Sequence, residues 1–471
     1  MFGLDATFTV LLLLCLFAAA AFEFINGFHD TANAVATVIY THSLKPTVAV
    51  VWSGLWNFIG VNVGGIAVAM GIVNLLPVEL LVDQNLMHSI SMIFALIFTA
   101  IVWNLATWYI GIPCSSSHTL IGSIFGVGLA YYFLPGVSEY ALNWNKIIDV
   151  GLSLLVSPLF GFGFALLLMF ILRKTVRNKL IFKEPPAKKA PPLWIRSILV
   201  LTCTSVSYAH GSNDGQKGVG LIMLILIGFS PVYFSIDRSN SPENLLYETR
   251  QIEWNMSRVD TSALPEGDRS SLRMIAANLS DMKEILKGVQ SFDDLKKDDH
   301  FRLRKSIILV SKKTEAILKN IRAGTSARIP PVRLAILSSN LKKFKANTEY
   351  SPRWVILLVS ISLGLGTMIG WKRIVVTIGE KIGKTHLTYA QGASAELVAA
   401  STIGVSTWFG LPVSTTHVLS SGIAGAMVAG GGRQNLRMGT VRSILIAWLI
   451  TLPVTIILSG GLFFILRMIF K

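Results

Sequence analysis

Charged residues are scarce in this sequence. Only 14% of its 471 residues are Asp, Glu, Lys or Arg, whereas soluble domains average about 25%. Cysteine is also rare, and Cys15, Cys114 and Cys203 lack the spacing of a zinc site or a disulfide framework. The first 44 residues contain no Lys or Arg, so the basic start of a secretory signal peptide is missing. These absences argue against an ordinary soluble domain and predict that the first apolar run stays as a membrane span.

Apolar runs are what the sequence has in abundance, since 52% of its residues are hydrophobic. The net charge of +16 could suggest nucleic acid, but the basic residues lie in short loops and in one long loop that is also rich in acids. Cytoplasmic loops of membrane proteins carry excess Lys and Arg, so we expect a lipid bilayer as partner and no nucleic acid. Runs long enough to cross a hydrocarbon core of ~30 Å predict an all-α polytopic membrane protein with about ten membrane elements, near 7–40, 47–77, 88–110, 118–135, 147–172, 194–236, 353–371, 386–409, 417–431 and 443–469.

Two motifs occur twice. The sequence GFHDTANAVA at 27–36 is echoed by GSNDGQKGVG at 211–220, which is 184 residues later. The sequence GIPCSSSH at 111–118 is echoed by GLPVSTTH at 410–417, which is 299 residues later. The two offsets differ by 115 residues (299 − 184), the length of the polar segment 236–350. We therefore interpret the chain as a duplication with an insertion in its second copy.

This interpretation defines the domains and the topology. We predict a first membrane repeat at 1–184, the start of the second at 185–235, a charged soluble insertion at 236–350, and the remainder of the second repeat at 351–471. Basic loops place Lys45 and the linker 173–196 in the cytoplasm, so we expect the N-terminus and the insertion to lie on the opposite, outer side of the membrane. An odd number of crossings inverts the second repeat, as in many secondary transporters. If 194–236 crosses twice instead, the insertion lies inside.

Four acids are embedded in apolar sequence, namely Glu23, Asp30, Asp214 and Glu396. A carboxylate at the centre of a bilayer costs about 3 kcal/mol and normally faces a polar path or a partner. Asp30 and Asp214 hold equivalent positions in the two repeats, and such paired positions are typical of a transport site. The alternative is that each Asp merely caps a broken helix.

A helix break is expected near the first of these acids. As one helix, the segment 7–40 would be roughly 51 Å long, too long for an untilted crossing, so we predict a break at Asn26–Gly27. At such a break, carbonyl oxygens and the Asp30 and Asp214 carboxylates could bind sodium or magnesium as metal ligands, or accept a proton. Asn33 and Asn213 could add neutral oxygen ligands.

Hydroxyl clusters form the second duplicated feature. Each follows a proline and precedes an apolar run, so the preceding helix ends there and a new one begins. Free N–H groups at a helix N-terminus, together with hydroxyl donors, form a site for an oxyanion. A lone cluster would be an ordinary helix cap, but the duplication favours phosphate binding by Ser115, Ser116, Ser117, Thr119, Ser414, Thr415 and Thr416.

Histidines and one lysine accompany the motifs. His29, His118, His210 and His417 are candidates for proton transfer or phosphate contact, and the alternative is that each bonds to backbone at a helix break. Lys217 either contacts the anion or extends its ammonium to the membrane surface.

The paired motifs resemble those of the PiT family of inorganic phosphate transporters. The runs 25–40, 210–220 and 388–421 are similar to the low-affinity Pit transporters of Gram-negative bacteria. The resemblance implies that Asp30 and Asp214 are cation-linked, that the hydroxyl clusters hold phosphate, that Glu396 is a further cation candidate, and that the protein is a homodimer. It also implies proton symport of phosphate as a neutral divalent-metal complex, with no other cofactor. His29 and Lys217 depart from the pattern of sodium-coupled members.

The expected function is therefore proton-coupled symport of inorganic phosphate, and no enzyme activity is expected. Sodium-coupled phosphate symport is the nearest alternative. A membrane enzyme acting on phosphate esters, with a motif Ser as nucleophile and a His as base, is the other. No third orienting acid accompanies either Ser–His motif in the sequence, which disfavours the enzyme.

Overall fold

A computed structural model describes residues 2–76, 86–134, 144–186, 189–259, 264–323 and 330–470. These residues form helices and loops with no strand, apart from one isolated bridge between Gly383 and Leu436. The all-α prediction is confirmed. The chain divides into two compact units: a membrane unit (Thr7–Ile225 and Ser351–Lys471) and a charged unit (Met1–Ala6 and Leu226–Tyr350).

The helices follow the apolar runs of the sequence. Those before the charged segment are α1 (Ala6–Tyr40), α2 (Pro46–Val63), α3 (Ala67–Val73), α4 (Leu86–Ile110), α5 (Ser116–Tyr132), α6 (Trp144–Thr175) and α7 (Leu193–Phe229), with a 3₁₀ turn at Lys179–Phe182. The charged unit adds a short turn of helix at Pro231–Phe234 and then α8 (Pro242–Met256), α9 (Glu266–Ile285), α10 (Lys297–Arg322) and α11 (Pro331–Ala346), with a 3₁₀ turn at Phe292–Asp294. The rest of the membrane unit comprises α12 (Arg353–Met368), α13 (Lys372–Val376) with a π-helical continuation at Thr377–Lys381, α14 (Tyr389–Trp408), α15 (Thr415–Gly431), a 3₁₀ turn at Arg433–Asn435, and α16 (Met438–Ile469).

Four described helices, α1, α4, α6 and α16, are long and apolar enough to cross a membrane. Two bent pairs raise that number to six if each pair is one span: α2 with α3, bent by 74°, and α12 with the segment Lys372–Lys381, bent by 58°. Gly65 and Gly370 lie at these bends with φ of 81° and 73°, a conformation that favours glycine. The ten predicted membrane elements also include α5, α14 and α15, which are shorter, and α7, which carries polar residues.

The predicted break at Asn26–Gly27 is wrong, because α1 is one continuous helix. Gly27 is needed for packing: a Cβ there would lie 2.4 Å from the Leu363 carbonyl oxygen of α12. Helix α7 is also continuous. Gly211 allows α7 to approach α2, because a Cβ added at Gly211 would lie 2.2 Å from the Asn57 carbonyl oxygen. Small residues that let helices approach closely are common in membrane proteins. Both motif glycines therefore bring helices together and break neither.

The two halves of the membrane unit exchange packing partners. Helices α5 and α15 are each 17 residues long and start 299 residues apart, the same offset that separates the hydroxyl motifs. Helix α5 packs on α16, and α15 packs on α6. Gly126 of α5 faces Ser459 of α16, while Gly425 of α15 faces Phe162 of α6. This exchange brings the two hydroxyl motifs to the centre of the unit, and the inversion of one half relative to the other stays a prediction.

The described part of the charged unit consists mainly of the four helices α8 to α11. Their apolar faces enclose one core that includes Leu245, Ile275, Leu303 and Phe344. Ser241 caps α8 by accepting from the Asn244 N–H, as expected for a Ser at that position. The side of the membrane on which this unit lies stays a prediction.

Candidate functional site

Asp30, His210 and Asp214 meet in the interior of the membrane unit. The Nε2 atom of His210 lies 3.5 Å from Oδ2 of Asp214 and 3.7 Å from Oδ2 of Asp30, and all three side chains are buried. One ligand atom from each lies within 4.8 Å of the other two. Two carboxylates and an imidazole are donors that divalent cations accept. The structure therefore brings together the two predicted cation-linked acids and adds a histidine between them.

Asn57 of α2 fixes the orientation of the His210 ring. Thr367 donates its hydroxyl proton to the Leu363 carbonyl, so its oxygen accepts from the Asn57 amide Nδ2 at 2.9 Å. The Asn57 Oδ1 is then the acceptor that faces His210 Nδ1 at 2.9 Å. This assigns the proton of a neutral His210 to Nδ1 and turns the Nε2 lone pair toward the carboxylates, as for a histidine that binds a metal. Sequence reasoning missed Asn57, although a polar Asn in the apolar helix α2 was the available signal.

Hydroxyls from both motifs bond to the two acids. Ser116 donates to Oδ2 of Asp30 at 3.3 Å, and Thr415, its equivalent in the other half, donates to Oδ2 of Asp214 at 3.4 Å. Thr416 also donates to Asp30. Each motif therefore donates one hydrogen bond to the carboxylate of its own half, and Thr416 of the second motif also bonds to Asp30 of the first half.

Lys217 is a buried cation of this site, with a relative exposure of 2%. Its ammonium bonds to Oδ1 of Asp214 at 2.6 Å, to the Val413 carbonyl at 2.7 Å, and to the hydroxyl of Ser117. The ammonium therefore does not extend to the membrane surface. It lies between an acid and a hydroxyl motif, where an anion would meet it.

The outer hydroxyls of the two motifs shape the helix ends. Ser115 accepts from the His118 N–H and Ser414 from the His417 N–H, each at 3.1 Å. Thr119 donates to the Ser115 carbonyl at 3.0 Å. These N-cap bonds follow from Ser preceding the first helical residue. They hold Ser116, Ser117, Thr415 and Thr416 where those side chains reach the acids and the lysine.

Only His210 of the four motif histidines lies against the acid pair. The rings of His118 and His417 face each other with centroids 4.4 Å apart, and His417 stacks on Trp448 at 3.9 Å. His118 Nδ1 also pairs with the Ser115 hydroxyl at 2.9 Å. His29 instead pairs through Nε2 with the Thr107 hydroxyl at 3.3 Å.

The remaining predicted ligands have other contacts. Asn213 donates to the Thr407 hydroxyl at 2.9 Å and to the Leu411 carbonyl at 3.2 Å, so it fastens α7 to the loop before α15. Glu396 accepts from the Thr202 hydroxyl at 2.6 Å rather than from a hydroxyl of either motif. The side chain of Asn33 lies outside the described residues.

Gln216 is a further residue that the sequence did not single out. Its Nε2 donates to the Gly64 carbonyl at 2.7 Å, and its Oε1 accepts from the Val68 N–H at 2.8 Å. These two bonds satisfy backbone groups freed by the bend between α2 and α3. Gln216 thus fixes that bend close in sequence to Asp214 and Lys217, two charged residues of α7.

Comparisons with known proteins agree on one family. A model described as the phosphate transporter family matches residues 26–459. The chain is 42% identical to the low-affinity inorganic phosphate transporter PitA of Escherichia coli (strain K12), and 40% identical to PitB of the same organism, with 98% of both chains covered in each case. A solved structure named "The sodium-dependent phosphate transporter" has a TM-score of 0.54 and 20% identity, covering 98% of this chain and 100% of that one. At that identity the likeness shows the fold alone.

Proposed function

The chain belongs to the phosphate transporter family, and on that premise we propose that it is a proton-coupled symporter that accepts phosphate as a neutral complex with a divalent cation. Its curated relatives are named phosphate transporters. The chain is accordingly a multi-pass membrane protein that transports inorganic phosphate, and it is not an enzyme acting on phosphate esters. The proton as coupling ion and the metal–phosphate complex as substrate go beyond what membership of the family shows.

The single observation that carries the metal complex is the meeting of Asp30, His210 and Asp214. A phosphate dianion beside two carboxylates is repelled by about 4 kcal/mol for each pair of unit charges at ~4 Å, taking an effective dielectric constant of about 20. Hydrogen bonds to a charged group return only about 1.5–3 kcal/mol each. A divalent cation such as magnesium between the carboxylates and the anion turns that repulsion into attraction. We therefore assign the metal of the complex to this group of three residues.

The phosphate of the complex then meets the hydroxyl motifs. Ser116, Ser117, Thr415 and Thr416 lie at the start of α5 and α15, where N–H groups without an intrahelical partner favour an anion. Ser116, Thr415 and Thr416 now donate to the two acids. Ser117 donates to the Val413 carbonyl, and its oxygen accepts from the Lys217 ammonium. Each of these hydroxyl protons reaches a phosphate oxygen by rotating about one bond. Lys217 supplies a fixed positive charge on the same side.

Lys217 also favours a proton over sodium as the coupling ion. It holds the position equivalent to Asn33 (33 + 184 = 217), so one half has a neutral amide where the other has an ammonium. Because this position carries an ammonium, which bonds to Asp214 at 2.6 Å, the second half lacks the neutral oxygen that a sodium ion would use as a ligand there. The sodium dependence named for the similar solved structure belongs to that protein.

Purified protein in liposomes tests both parts. With magnesium present and sodium absent, an inside-alkaline gradient should drive uptake of labelled phosphate, and chelation of divalent cations should stop it. Asp30→Asn and Asp214→Asn should insert as the wild type does yet lose transport, while Asp149→Asn, an exposed acid of α6, should transport normally. Uptake that requires sodium and ignores the pH gradient would contradict the proton coupling. Uptake undiminished by chelation would contradict the metal complex.

The setting of the protein is part of the proposal. The resemblance to Pit transporters of Gram-negative bacteria supports a location in the inner membrane. The basic loops favour an orientation with the N-terminus and the charged unit in the periplasm. The resemblance to PiT proteins supports a homodimer. Cysteine labelling tests the orientation, and the mass of the protein in detergent tests the homodimer.

A further inference from the structure

Glu23 is an acid of the membrane interior that the transport site does not use. It lies on α1 seven residues before Asp30, two turns away on the same face of the helix. Its side chain has a relative exposure of 0%. An acid buried at membrane depth is costly and is generally functional, so Glu23 needs an explanation of its own.

The carboxyl of Glu23 is held by Asn26 and by a glycine of the facing helix. Asn26 Nδ2 donates to Oε2 at 3.4 Å. Among the described residues, neither Oε1 of Glu23 nor Oδ1 of Asn26 has a hydrogen-bond partner. Opposite them is Gly218 of α7, where a Cβ would lie 2.4 Å from the Glu23 carboxyl carbon and 2.5 Å from Oε1. The carboxyl therefore rests on the backbone of α7, one residue after Lys217.

The charged groups that act on Glu23 belong to the transport site. Across the interface these are His210, Asp214 and Lys217 of α7, and along α1 the next titratable groups are His29 and Asp30. Helices α2 and α3 contain no titratable residue, and α12 contains only Arg353, at its first position. Glu23 therefore lies at the contact between α1 and α7, the same two helices that carry the acids of the transport site, without being one of the groups that meet there.

Glu23 also breaks the symmetry of the two halves. Its equivalent is Ser207 (23 + 184 = 207), and the equivalent of Asn26 is His210 (26 + 184 = 210). The acids that we assign to the substrate are duplicated, as Asp30 and Asp214, whereas this acid occurs once. A single unduplicated acid fits a group that binds one coupling ion per cycle.

We propose that Glu23, supported by Asn26, is the proton-binding site of the transport cycle and is separate from the Asp30–His210–Asp214 site that holds the substrate. The inference rests on the proton coupling proposed above. Oε1 of Glu23 and Oδ1 of Asn26 are both acceptors without a donor among the described residues. A proton bound to the Glu23 carboxyl would supply that donor. A hard metal cation requires about six oxygen ligands, and this pair of side chains offers too few. The occupant that matches the site is a proton.

The test is to replace Glu23 by a neutral side chain of the same shape. Glu23→Gln should keep exchange of labelled for unlabelled phosphate across liposomes at equal pH with magnesium present, because the substrate site is intact. It should lose accumulation driven by an inside-alkaline gradient, and its exchange should lose its dependence on pH. Glu23→Asp, which keeps a carboxyl, should restore part of the pH-driven accumulation.

Three outcomes overturn the assignment, and they are distinguishable. If Glu23→Gln still accumulates phosphate in response to the pH gradient, Glu23 carries no coupling proton. If the correctly folded variant loses exchange together with accumulation, Glu23 belongs to the substrate site. If the wild type itself ignores the pH gradient, the proposed proton coupling fails first, before any variant is compared.

A pair of glycine variants gives an independent check. Gly218→Ala places a Cβ against the Glu23 carboxyl and should reduce pH-driven accumulation more than exchange. Gly163→Ala of α6 is the matched control, since a Cβ there meets nothing within 4 Å, and it should change neither. An equal loss of exchange and accumulation in a well-folded Gly218→Ala protein would contradict a role confined to the proton.

Discussion

Ser116 offers the sharpest test of how the hydroxyl motifs bind phosphate. Its hydroxyl donates to Asp30 at 3.3 Å, which is longer than the 2.5–3.0 Å of a good O–H···O bond. Little is therefore lost from the empty protein when this hydroxyl is removed. In the loaded protein the same proton would bond to a phosphate oxygen, a charge-assisted bond that contributes about 1.5–3 kcal/mol.

Ser116→Ala should accordingly raise the apparent KM for phosphate about tenfold or more, because about 1.4 kcal/mol corresponds to a factor of ten. The maximal rate should change much less. Initial rates of labelled uptake over a range of phosphate concentrations, at saturating magnesium, give both quantities. Ser420→Ala is the matched control, since Ser420 of α15 is equally buried, at 3%, and its hydroxyl has no partner among the described residues. An unchanged KM in Ser116→Ala, or an equal change in Ser420→Ala, would show that the Ser116 hydroxyl does not bind phosphate.

Three further predictions concern other parts of the chain. Asn57→Leu should free the ring of His210 and weaken metal binding, so that half-maximal uptake requires a higher magnesium concentration. A magnesium titration of initial rates measures this shift, and an unaltered titration would exclude the orienting role. If the charged unit faces the periplasm, a cysteine placed at Ser270 should react with an impermeant maleimide in cells whose outer membrane is permeabilised. The three native cysteines are buried and should not react. Labelling only after lysis would place the charged unit inside. Burial lowers the pKa of His300 below its ordinary value of 6.5, so the charged unit should be fully stable above about pH 6.5 and lose stability as the pH falls below it. His300→Gln should flatten this dependence in thermal unfolding, and an unchanged acid sensitivity would assign it to other groups.

The acids of the site could be predicted because duplication makes them stand out. Asp30 and Asp214 are separated by the period of the repeat, and each interrupts apolar sequence at a high energetic cost. The same logic applies to Ser116 and Thr415, which the structure brings to those acids. Polar residues that are costly to bury and that occur at equivalent positions of both repeats can therefore be recognised from the sequence alone.

Glycine and asparagine positions show where that logic ends. Gly27 in the motif is compatible with a helix break and with close packing of two helices, and only the approach of Leu363 in space distinguishes them. Asn57 lies in an apolar run with no motif around it, so its bond to His210 depends on which helices meet. Lys217 likewise could be assigned to the interior only once its three acceptors were located.

A structure obtained with manganese and phosphate, using the anomalous scattering of manganese, tests the central claim most directly. We predict one manganese ion within bonding distance of Asp30, His210 and Asp214, with phosphate between that ion and the ammonium of Lys217. Phosphate bound away from both hydroxyl motifs, or bound at them with no metal beside the two acids, would contradict it.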